Sequence, residues 1–313
     1  MSGINAQSIK ELRERTSAGM SDCKSALVEA EGNMEKAVEI ILKKGLAKSA
    51  KRAGAVAAEG EVRASVTADK RAASVVEVNI QTDFAARNEA FKDFVTKVLA
   101  VAEKSTHGAD LHTEVLPGHG KTVGDVAIEL TGKIGEKIQV RRWSRVEVAE
   151  GKTGLAHAYV HLGGKIGVVL AVETDTAEVA AHPEVAKFVD DTAMQIAAMN
   201  PLVLSRADVD ADLIAKQKVI FEGQLREDPK PKPEAAWPKI IEGKFNKWYT
   251  EVTLLEQESV VVPGNSIDKL RAAAAKAAGG SVTISRFVRY ERGEGIDKGS
   301  SDFAAEVAKM AGG

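Results

Sequence analysis

The stretch Val75-Val76-Glu77-Val78-Asn79-Ile80, followed at once by Gln81-Thr82-Asp83, decides the fold. Its β-branched residues predict a strand, because side chains branched at Cβ suit the pleated surface of a sheet. After the Thr-Asp turn, apolar residues between 91 and 99 recur with the spacing of an amphipathic helix. A further strand-like segment, Gly60-Glu61-Val62, comes before the stretch. The order strand, strand, turn, helix therefore predicts one α+β unit.

The same order of elements occurs a second time further along the chain. Gly154-Leu155-Ala156 precedes a strand-like run at residues 166–172, Thr174-Asp175 follows that run, and a helical pattern covers residues 185–196. In this alignment Thr174-Asp175 is the counterpart of Thr82-Asp83. Two related α+β subdomains with antiparallel sheets are the most economical interpretation.

A small helical module precedes the repeat. The apolar spacing before residue 46 predicts three short helices, and Asn33 is suited to cap the third of them. Gly45 is a natural stop for that helix. Residues 47–59, rich in Ala, Lys and Gly, are then predicted to form a basic linker.

Two helices joined by a proline-rich turn are predicted after the second helical pattern. Residues 213–226 and 235–251 have helical spacing, and the three prolines at alternate positions within residues 227–233 cannot lie inside a helix. An antiparallel helical hairpin follows from this pattern. The remaining predicted elements are helices at 123–134, 267–278 and 303–310, strands at 138–148 and 282–290, and a surface loop at 105–121.

The patterns together divide the chain into α+β core subdomains with helical additions. Its 313 residues are enough for two or three domains. The predicted parts are a three-helix domain similar to ubiquitin-associated (UBA) domains at 1–46, the linker at 47–59, core subdomain N at 60–150, core subdomain C at 151–207 and 258–298, the helical hairpin at 208–257 and a C-terminal helix at 299–313.

The charge balance limits what the chain can bind. Lys and Arg number 43 against 45 Asp and Glu, a formal net charge of −2, which argues against binding to nucleic acid through phosphate attraction. No apolar run approaches the ~20 residues that cross a bilayer, and residues 1–7 lack the pattern of a targeting peptide. We therefore expect a cytoplasmic protein that binds another protein, and neither nucleic acid nor a membrane.

Patterns for catalysis or metal binding are weak. Gly120-Lys121-Thr122 resembles the end of a phosphate-binding loop, but Val115 stands where the first glycine is required. His157 and His161 share a strand face without a carboxylate placed to complete a metal site. Cys23, the only cysteine, lies on the apolar side of a short helix and is expected to be a buried small residue. We therefore expect no enzyme activity, no metal and no cofactor.

The turn Thr82-Asp83-Phe84 permits two interpretations. In one, Asp83 caps the turn and Phe84 packs at the start of the following helix as a hydrophobic staple. In the other, a carboxylate beside an exposed aromatic side chain acts as a wedge that enters a partner protein. The residues by themselves leave both interpretations open.

Three stretches give the chain a family resemblance. Residues 12–27 (LRERTSAGMSDCKSAL), 77–84 (EVNIQTDF) and 287–296 (FVRYERGEGI) resemble, in this order, motifs of the translation elongation factor Ts family. Ala85 follows Phe84 where that family usually has a valine.

The resemblance implies a function and a set of contact residues. Members of this family bind elongation factor Tu carrying GDP, disturb its Mg²⁺ site and promote release of the nucleotide, so that GTP can bind. The stoichiometry is left open, a 2:2 assembly with the partner being one alternative. The implied contacts are Thr82, Asp83, Phe84 and Ala85 near the Mg²⁺ site, Leu12 and Met20 in the N-terminal module, and the turn His161-Leu162-Gly163 in the second subdomain.

Two other classes of function stay open at this point. The N-terminal helices would also suit an adaptor or a protein that binds nascent chains, although such a protein would not need the Thr82-Asp83-Phe84 turn. The other alternative is a metabolic enzyme, for which the sequence offers no constellation of residues.

Overall fold

The computed structural model describes residues 4–16, 20–230 and 232–297, and the predicted C-terminal helix lies outside these ranges. Contacts divide the described residues into two units. The first holds those up to residue 63, from 75 to 144 and from 290 onward, and the second holds residues 64–74 and 145–289. Of the helices that the structure describes, none has the length and apolar character needed to cross a membrane.

The described part of the chain mixes helices with two small sheets. The α-helices are α1 (Ala6–Thr16), α2 (Met20–Glu29), α3 (Met34–Arg52), α4 (Asp83–Ala86), α5 (Glu89–Ala102), α6 (Val123–Ile134), α7 (Ala177–Ala180), α8 (Pro183–Met199), α9 (Ala211–Arg226), α10 (Trp237–Val252) and α11 (Ile267–Ala278). The strands are β1 (Glu59–Val66), β2 (Ala72–Ile80), β3 (Ile138–Glu147), β4 (Thr153–His161), β5 (Ile166–Thr174) and β6 (Val282–Glu291).

The first sheet has the order β1-β2-β3, so β2 is its central strand. Every residue of β2 is buried, and its apolar side chains share one cluster with those of α5, α6 and β3. The predicted surface loop at 105–121 also enters this cluster through Leu111 and Leu116, which are 2% and 0% exposed. The prediction of a surface loop is therefore wrong at these two leucines, whose side chains lie in the core.

The second sheet has the order β4-β5-β6 and repeats this arrangement. β4 and β5 pair antiparallel, with a register that runs from Thr153 opposite Thr174 to His161 opposite Ile166. The core forms where β5 and β6 pack against α8 and α11. The predicted α+β fold is confirmed.

The elements of the two copies are separated by a fixed number of residues. β1 begins at Glu59 and β4 at Thr153, 94 residues later, and the same spacing relates β2 to β5, α4 to α7 and α5 to α8. α6 begins at Val123 and α11 at Ile267, 144 residues later, and β3 and β6 share this spacing. The repeat therefore includes the whole subdomain, and the second copy carries 50 additional residues between α8 and α11.

The spacing makes Thr176, and not Thr174, the counterpart of Thr82. Thr82 and Thr176 each cap a four-residue helix by accepting the N–H of its third residue, at 3.1 and 3.2 Å. Thr174 is the last residue of β5, and its hydroxyl donates to the carbonyl of Thr176 at 2.8 Å. The predicted equivalence of Thr174-Asp175 with Thr82-Asp83 is therefore wrong by two residues, because the strand runs through Thr174.

The additional residues of the second copy contain the predicted helical hairpin, formed by α9 and α10. Phe221 of α9 meets Phe245 of α10 edge to face, with 5.1 Å between the ring centroids. Trp248 and Tyr249 lie 5.9 and 6.0 Å from Phe245. The two helices are thus joined by an aromatic cluster of their own.

Helices α1, α2 and α3 enclose a small core. Leu12, Cys23 and Leu27 are fully buried in it, as expected for Cys23. Asn33 caps α3 as predicted, because its side chain accepts the N–H of Lys36 at 3.0 Å.

Helix α3 continues past Gly45 to Arg52, so the predicted stop at Gly45 is wrong and the first part of the predicted linker is helical. Gly45 instead packs against α6. A Cβ atom on Gly132 would stand 2.5 Å from Cα and 2.8 Å from the carbonyl oxygen of Gly45. Two helix backbones approach each other here because neither residue has a side chain. Gly45 serves helix packing and not helix termination.

Gly132→Ala should destabilise the first unit. The added methyl group meets backbone atoms of Gly45, which have no rotamer to adopt, so α3 and α6 must move apart at a cost of about 1–3 kcal/mol. Urea unfolding of the full chain measures this free energy.

Gly243→Ala on α10 is the matched control, because nothing lies within 4 Å of a Cβ atom at that position. Alanine is a better helix former than glycine, so this variant should be neutral or more stable by up to ~1 kcal/mol. Equal stabilities for the two alanine variants would contradict the close approach of α3 and α6.

Candidate partner-binding turn

The turn after β2 is a four-residue helix, α4, fixed at both ends. Thr82 caps its start. Asn88 caps the next helix, α5, by accepting the N–H of Ala90 at 2.9 Å. Ala85 and Ala86 pack against the hydrophobic cluster of the first unit. One face of α4 is therefore held by the core.

Phe84 points away from that core. Its side chain is 84% exposed, the highest value among the large apolar residues that the structure describes. An aromatic ring in water carries an unrealised burial free energy of ~1.5–3 kcal/mol. The exposure excludes the interpretation of Phe84 as a hydrophobic staple, and it makes this ring available to a partner.

Asp83 is also free to change partners. Its carboxylate accepts a hydrogen bond from Nη2 of Arg87 at 3.1 Å, with side chains that are 65% and 75% exposed. Exposed ion pairs of this kind contribute between 0 and ~1 kcal/mol. The cap of α4 is Thr82, so Asp83 is not needed to terminate the helix.

Hydrogen bonds to residues far away in the sequence hold the turn in place. Glu136 accepts the backbone N–H of Thr82 at 3.0 Å and its hydroxyl at 2.8 Å, one with each carboxylate oxygen. Gln81 accepts the N–H of Lys137 at 2.8 Å and a hydrogen bond from Arg52 at 3.1 Å. Glu136 is 54 positions from Thr82 in the sequence, so no local pattern pointed to it.

The second copy keeps the scaffold of this turn and lacks its exposed aromatic residue. Ala177 and Glu178 stand where the first copy has Asp83 and Phe84, at the common spacing of 94 residues. Val179, the next residue, is buried. The combination of an acidic and an aromatic residue on the short helix is thus specific to the first copy.

A buried carboxylate lies on the strand that leads into the turn. Glu77 is 0% exposed. It accepts the N–H of Gly293 at 2.7 Å, an amide N–H of Asn79 at 3.1 Å and Nη1 of Arg141 at 3.1 Å to each oxygen. Nε of Arg142 donates to it as well. Glu77 therefore joins β2, β3 and the segment that follows β6.

Arg142 extends the network to the end of the described chain. It donates to the carbonyl of Glu291 at 3.0 Å and to the carboxylate of Glu294 at 3.2 Å. Its guanidinium group also lies 4.2 Å from the centre of the Tyr290 ring. Two of the three stretches that carry the family resemblance are in this way held against each other.

The contacts of Glu77 set its charge state. Burial is the largest influence and by itself raises the pKa of the carboxyl group. The hydrogen bonds from the N–H of Gly293 and from Arg142 and Asn79 together outweigh it and hold the pKa of Glu77 below its ordinary value of 4.5. Glu77 is therefore a carboxylate at neutral pH, as its two arginine partners require.

The other predicted contact residues have different surroundings. Met20 is 58% exposed and is available to a partner. Leu12 has no exposed surface and fills the core of the three helices, so its predicted role as a direct contact is corrected to a structural one.

The predicted turn of the second subdomain follows β4. Leu162 is 67% exposed and has a positive φ of 48°, an uncommon conformation for a residue with a branched side chain. Gly163 has a φ of 61°. His161 shares a hydrogen bond of 2.8 Å with the hydroxyl of Tyr159. The turn thus presents an apolar side chain at the tip of a hairpin.

The weak chemical patterns have structural explanations. Thr122 of the phosphate-loop-like segment caps α6. His157 lies 3.3 Å from Asp190, and burial lowers the pKa of His157 although Asp190 opposes the shift. Over the ranges that the structure describes, no group of three or more potential metal ligands occurs.

The fold and the turn define an α+β protein of two related subdomains, one of which carries a short helix with an exposed acidic-aromatic pair. Residues 81–294 match the family model described as elongation factor TS. The chain is 46% identical over 311 residues to elongation factor Ts of Clostridium perfringens strain SM101, covering 99% of each chain. It is 44% identical over 315 residues to that of Symbiobacterium thermophilum, covering 100% of this chain and 99% of the relative. The chain belongs to the elongation factor Ts family, which supports a nucleotide-exchange role in translation elongation.

Glu77→Gln should lower the free energy of unfolding by about 3 kcal/mol at pH 7, because two guanidinium groups lose their buried counter-charge. The effect depends on pH. The pKa of Glu77 is lower in the folded than in the unfolded chain, so below about 4.5 the unfolded state takes up the proton first and the stabilisation is lost. The difference between wild type and variant should therefore be full at pH 7 and shrink below about pH 4.5. Urea unfolding across this pH range measures it.

The control is Glu294→Gln, which removes a partner of Arg142 that is 41% exposed. It should cost less than ~1 kcal/mol. A Glu77→Gln effect that is the same at every pH would show that shape, and not charge, explains the loss.

Proposed function

We propose that this protein is a guanine-nucleotide exchange factor that binds elongation factor Tu carrying GDP and promotes release of the nucleotide, so that GTP can bind. Asp83 and Phe84 enter the partner near its Mg²⁺ site and disturb the groups that order the metal. The observation that carries the proposal is the 84% exposure of Phe84 on a short helix whose other face is held by the core.

The mechanism rests on coupling between two ligands of one partner. Mg²⁺ bridges protein and phosphate oxygens, so disturbing its surroundings weakens the hold on GDP. If the exchange factor weakens GDP binding by a given ratio, GDP must weaken binding of the factor by the same ratio. The factor needs no catalytic group for this, and in this proposal it is not an enzyme.

The size of the effect requires more than one contact. Burial of one phenylalanine supplies ~1.5–3 kcal/mol, and each tenfold change in affinity needs ~1.4 kcal/mol. Phe84 alone therefore accounts for one or two powers of ten. Met20 in the N-terminal module and Leu162 at the hairpin tip are the exposed apolar residues that we assign as further contacts.

Elongation factor Tu is the partner that membership of the family implies. A cytoplasmic location accords with this role. A 2:2 assembly with the partner stays a prediction, and so does the expectation that neither nucleic acid nor a membrane is bound.

Release of labelled GDP from elongation factor Tu tests the proposal directly. The wild-type protein should accelerate release at micromolar concentrations. Phe84→Ala should lower the maximal acceleration about 10- to 100-fold, because the ring supplies the wedge, and Asp83→Ala should also lower it. Thermal unfolding should show little change in either variant, since both side chains are exposed.

Glu178→Ala is the matched control, because Glu178 occupies in the second copy the position that Phe84 occupies in the first. It should leave the release rate unchanged. No acceleration by the wild type would refute the exchange function, whereas full acceleration by a Phe84→Ala, Asp83→Ala double variant would refute only the wedge.

Leu162→Ala and Met20→Ala should act on affinity. Each is expected to raise the half-saturating concentration several-fold and to leave the maximal release rate nearly unchanged, because neither residue is assigned to the Mg²⁺ site. Val115→Ala, at a residue that is 63% exposed compared with 67% for Leu162, is the control and should change neither quantity. A fall in the maximal rate without a change in affinity would contradict this division of roles.

A further inference from the structure

Helix α4 is too short to hold its own position. A helix of four residues makes few internal hydrogen bonds, and isolated helices are marginal below about 12–15 residues. Phe84 is almost free of contacts with the chain because it is 84% exposed. The direction in which Phe84 points therefore depends on what holds the first residues of the turn.

Glu136 provides such a hold. It lies between α6, which ends at Ile134, and β3, which begins at Ile138. Its two carboxylate oxygens accept the N–H and the hydroxyl of Thr82, at 3.0 and 2.8 Å. The same hydroxyl oxygen of Thr82 accepts the N–H of Ala85 at 3.1 Å. A continuous chain of hydrogen bonds thus runs from Glu136 through Thr82 into the helix that carries Phe84.

The second copy forms the same turn without an exposed aromatic residue, so it shows which contacts the turn itself requires. Gln81 and Asp175 are equivalent, and both accept a backbone N–H from the start of the third strand segment, from Lys137 at 2.8 Å and from Ser281 at 3.0 Å. At the position of Glu136, however, the second copy has a glycine, Gly280. The cap of α7 therefore forms without a carboxylate clamp.

The glycine in the second copy is closely packed. A Cβ atom on Gly280 would stand 2.4 Å from an oxygen of Asp175 and 2.5 Å from a methyl group of Val179. Any side chain at this position would require Asp175 or Val179 to shift. The equivalent positions 136 and 280 therefore differ in role. Glu136 binds Thr82 in the copy that has Phe84, and Gly280 allows close packing in the copy that lacks an aromatic residue.

We propose that Glu136 is a positioning residue for nucleotide exchange, which acts through Thr82 to fix the direction of Phe84 on its short helix. The inference rests on the proposed exchange function, since the role of Glu136 is to orient the residue that is proposed to enter the partner. Glu136 itself does not touch the partner's nucleotide or metal.

The experiment compares Glu136→Gln with Glu129→Gln in the full chain. Glutamine at 136 retains an oxygen for one donor of Thr82 and turns an N–H towards the other, so the two-point clamp is lost. Glu129 lies on the preceding helix, where it pairs with Lys121, and its variant removes the same charge without touching the turn. GDP release from elongation factor Tu is followed over a range of concentrations of each protein, together with thermal unfolding.

Glu136→Gln should lower the maximal release rate about fivefold, which corresponds to ~1 kcal/mol at 1.4 kcal/mol per tenfold. The half-saturating concentration should change less than twofold, and the Tm should stay close to that of Glu129→Gln. Thr82→Ser, which keeps the hydroxyl group, should retain most of the maximal rate, whereas Thr82→Val should lose at least as much as Glu136→Gln, because it also removes the cap of α4. Adding Glu136→Gln to Thr82→Val should bring little further loss, because Glu136 reaches the helix through the hydroxyl group that Thr82→Val removes.

A second measurement does not depend on exchange activity. Hydrogen exchange of the Thr82 amide, followed by NMR, should be about fivefold faster in Glu136→Gln than in wild type or Glu129→Gln. An unchanged amide exchange rate would overturn the inference, whether or not the protein accelerates GDP release.

The two proposals fail in distinguishable ways. If the wild type accelerates GDP release and Phe84→Ala slows it, but Glu136→Gln does not, the positioning role is wrong and the exchange function stands. If the wild type has no effect on GDP release, the exchange function is wrong, and the Thr82 amide alone decides whether Glu136 fixes the turn. A loss in Glu136→Gln that follows a fall in Tm would assign Glu136 a structural role and overturn the inference.

Discussion

The buried carboxylate of Glu77 is the constraint on which the first subdomain depends. A charge that is 0% exposed is tolerated only when hydrogen bonds replace the water it has lost. Arg141, Arg142, Asn79 and the N–H of Gly293 provide them, and they come from three separate parts of the chain. The contacts of Glu77 hold β2, β3 and the segment after β6 together, and β2 leads directly into the turn at Thr82.

The two copies show which features belong to the scaffold and which belong to the contact. Both have a threonine that caps a four-residue helix, and both bind a backbone N–H through the residue before that threonine, Gln81 or Asp175. The acidic-aromatic pair and the carboxylate of Glu136 occur in the first copy alone. The two copies thus share the turn and differ in the acidic-aromatic pair and in Glu136. We expect this difference if the first subdomain carries the proposed wedge and the second supplies a different contact.

The sequence predicted what short-range patterns determine. The predicted helices at 123–134 and 267–278 match α6 and α11, which Thr122 and Ser266 cap. The predictions fail where a residue far away in the sequence determines the local structure. Gly45 lies inside α3 and packs against Gly132 of α6, and Glu77 accepts an N–H from a residue 216 positions away. The direction of Phe84 could not be predicted either, because the staple and the wedge place the same residue types at the same spacing, and the exposure of the ring in the structure separates them.

In the proposed function, an exposed phenylalanine on a fixed helix also accounts for how a small turn would compete with a bound nucleotide. The ring contributes little to folding where it stands, so its burial free energy is left for the partner. Ordering a mobile segment on binding would consume part of that free energy, at about 0.5–1.5 kcal/mol for each side chain that is immobilised. A helix whose caps and clamps are already formed before binding avoids most of this loss. The polar contacts of Thr82 and Gln81 therefore contribute to the proposed exchange function through the entropy that they remove in advance.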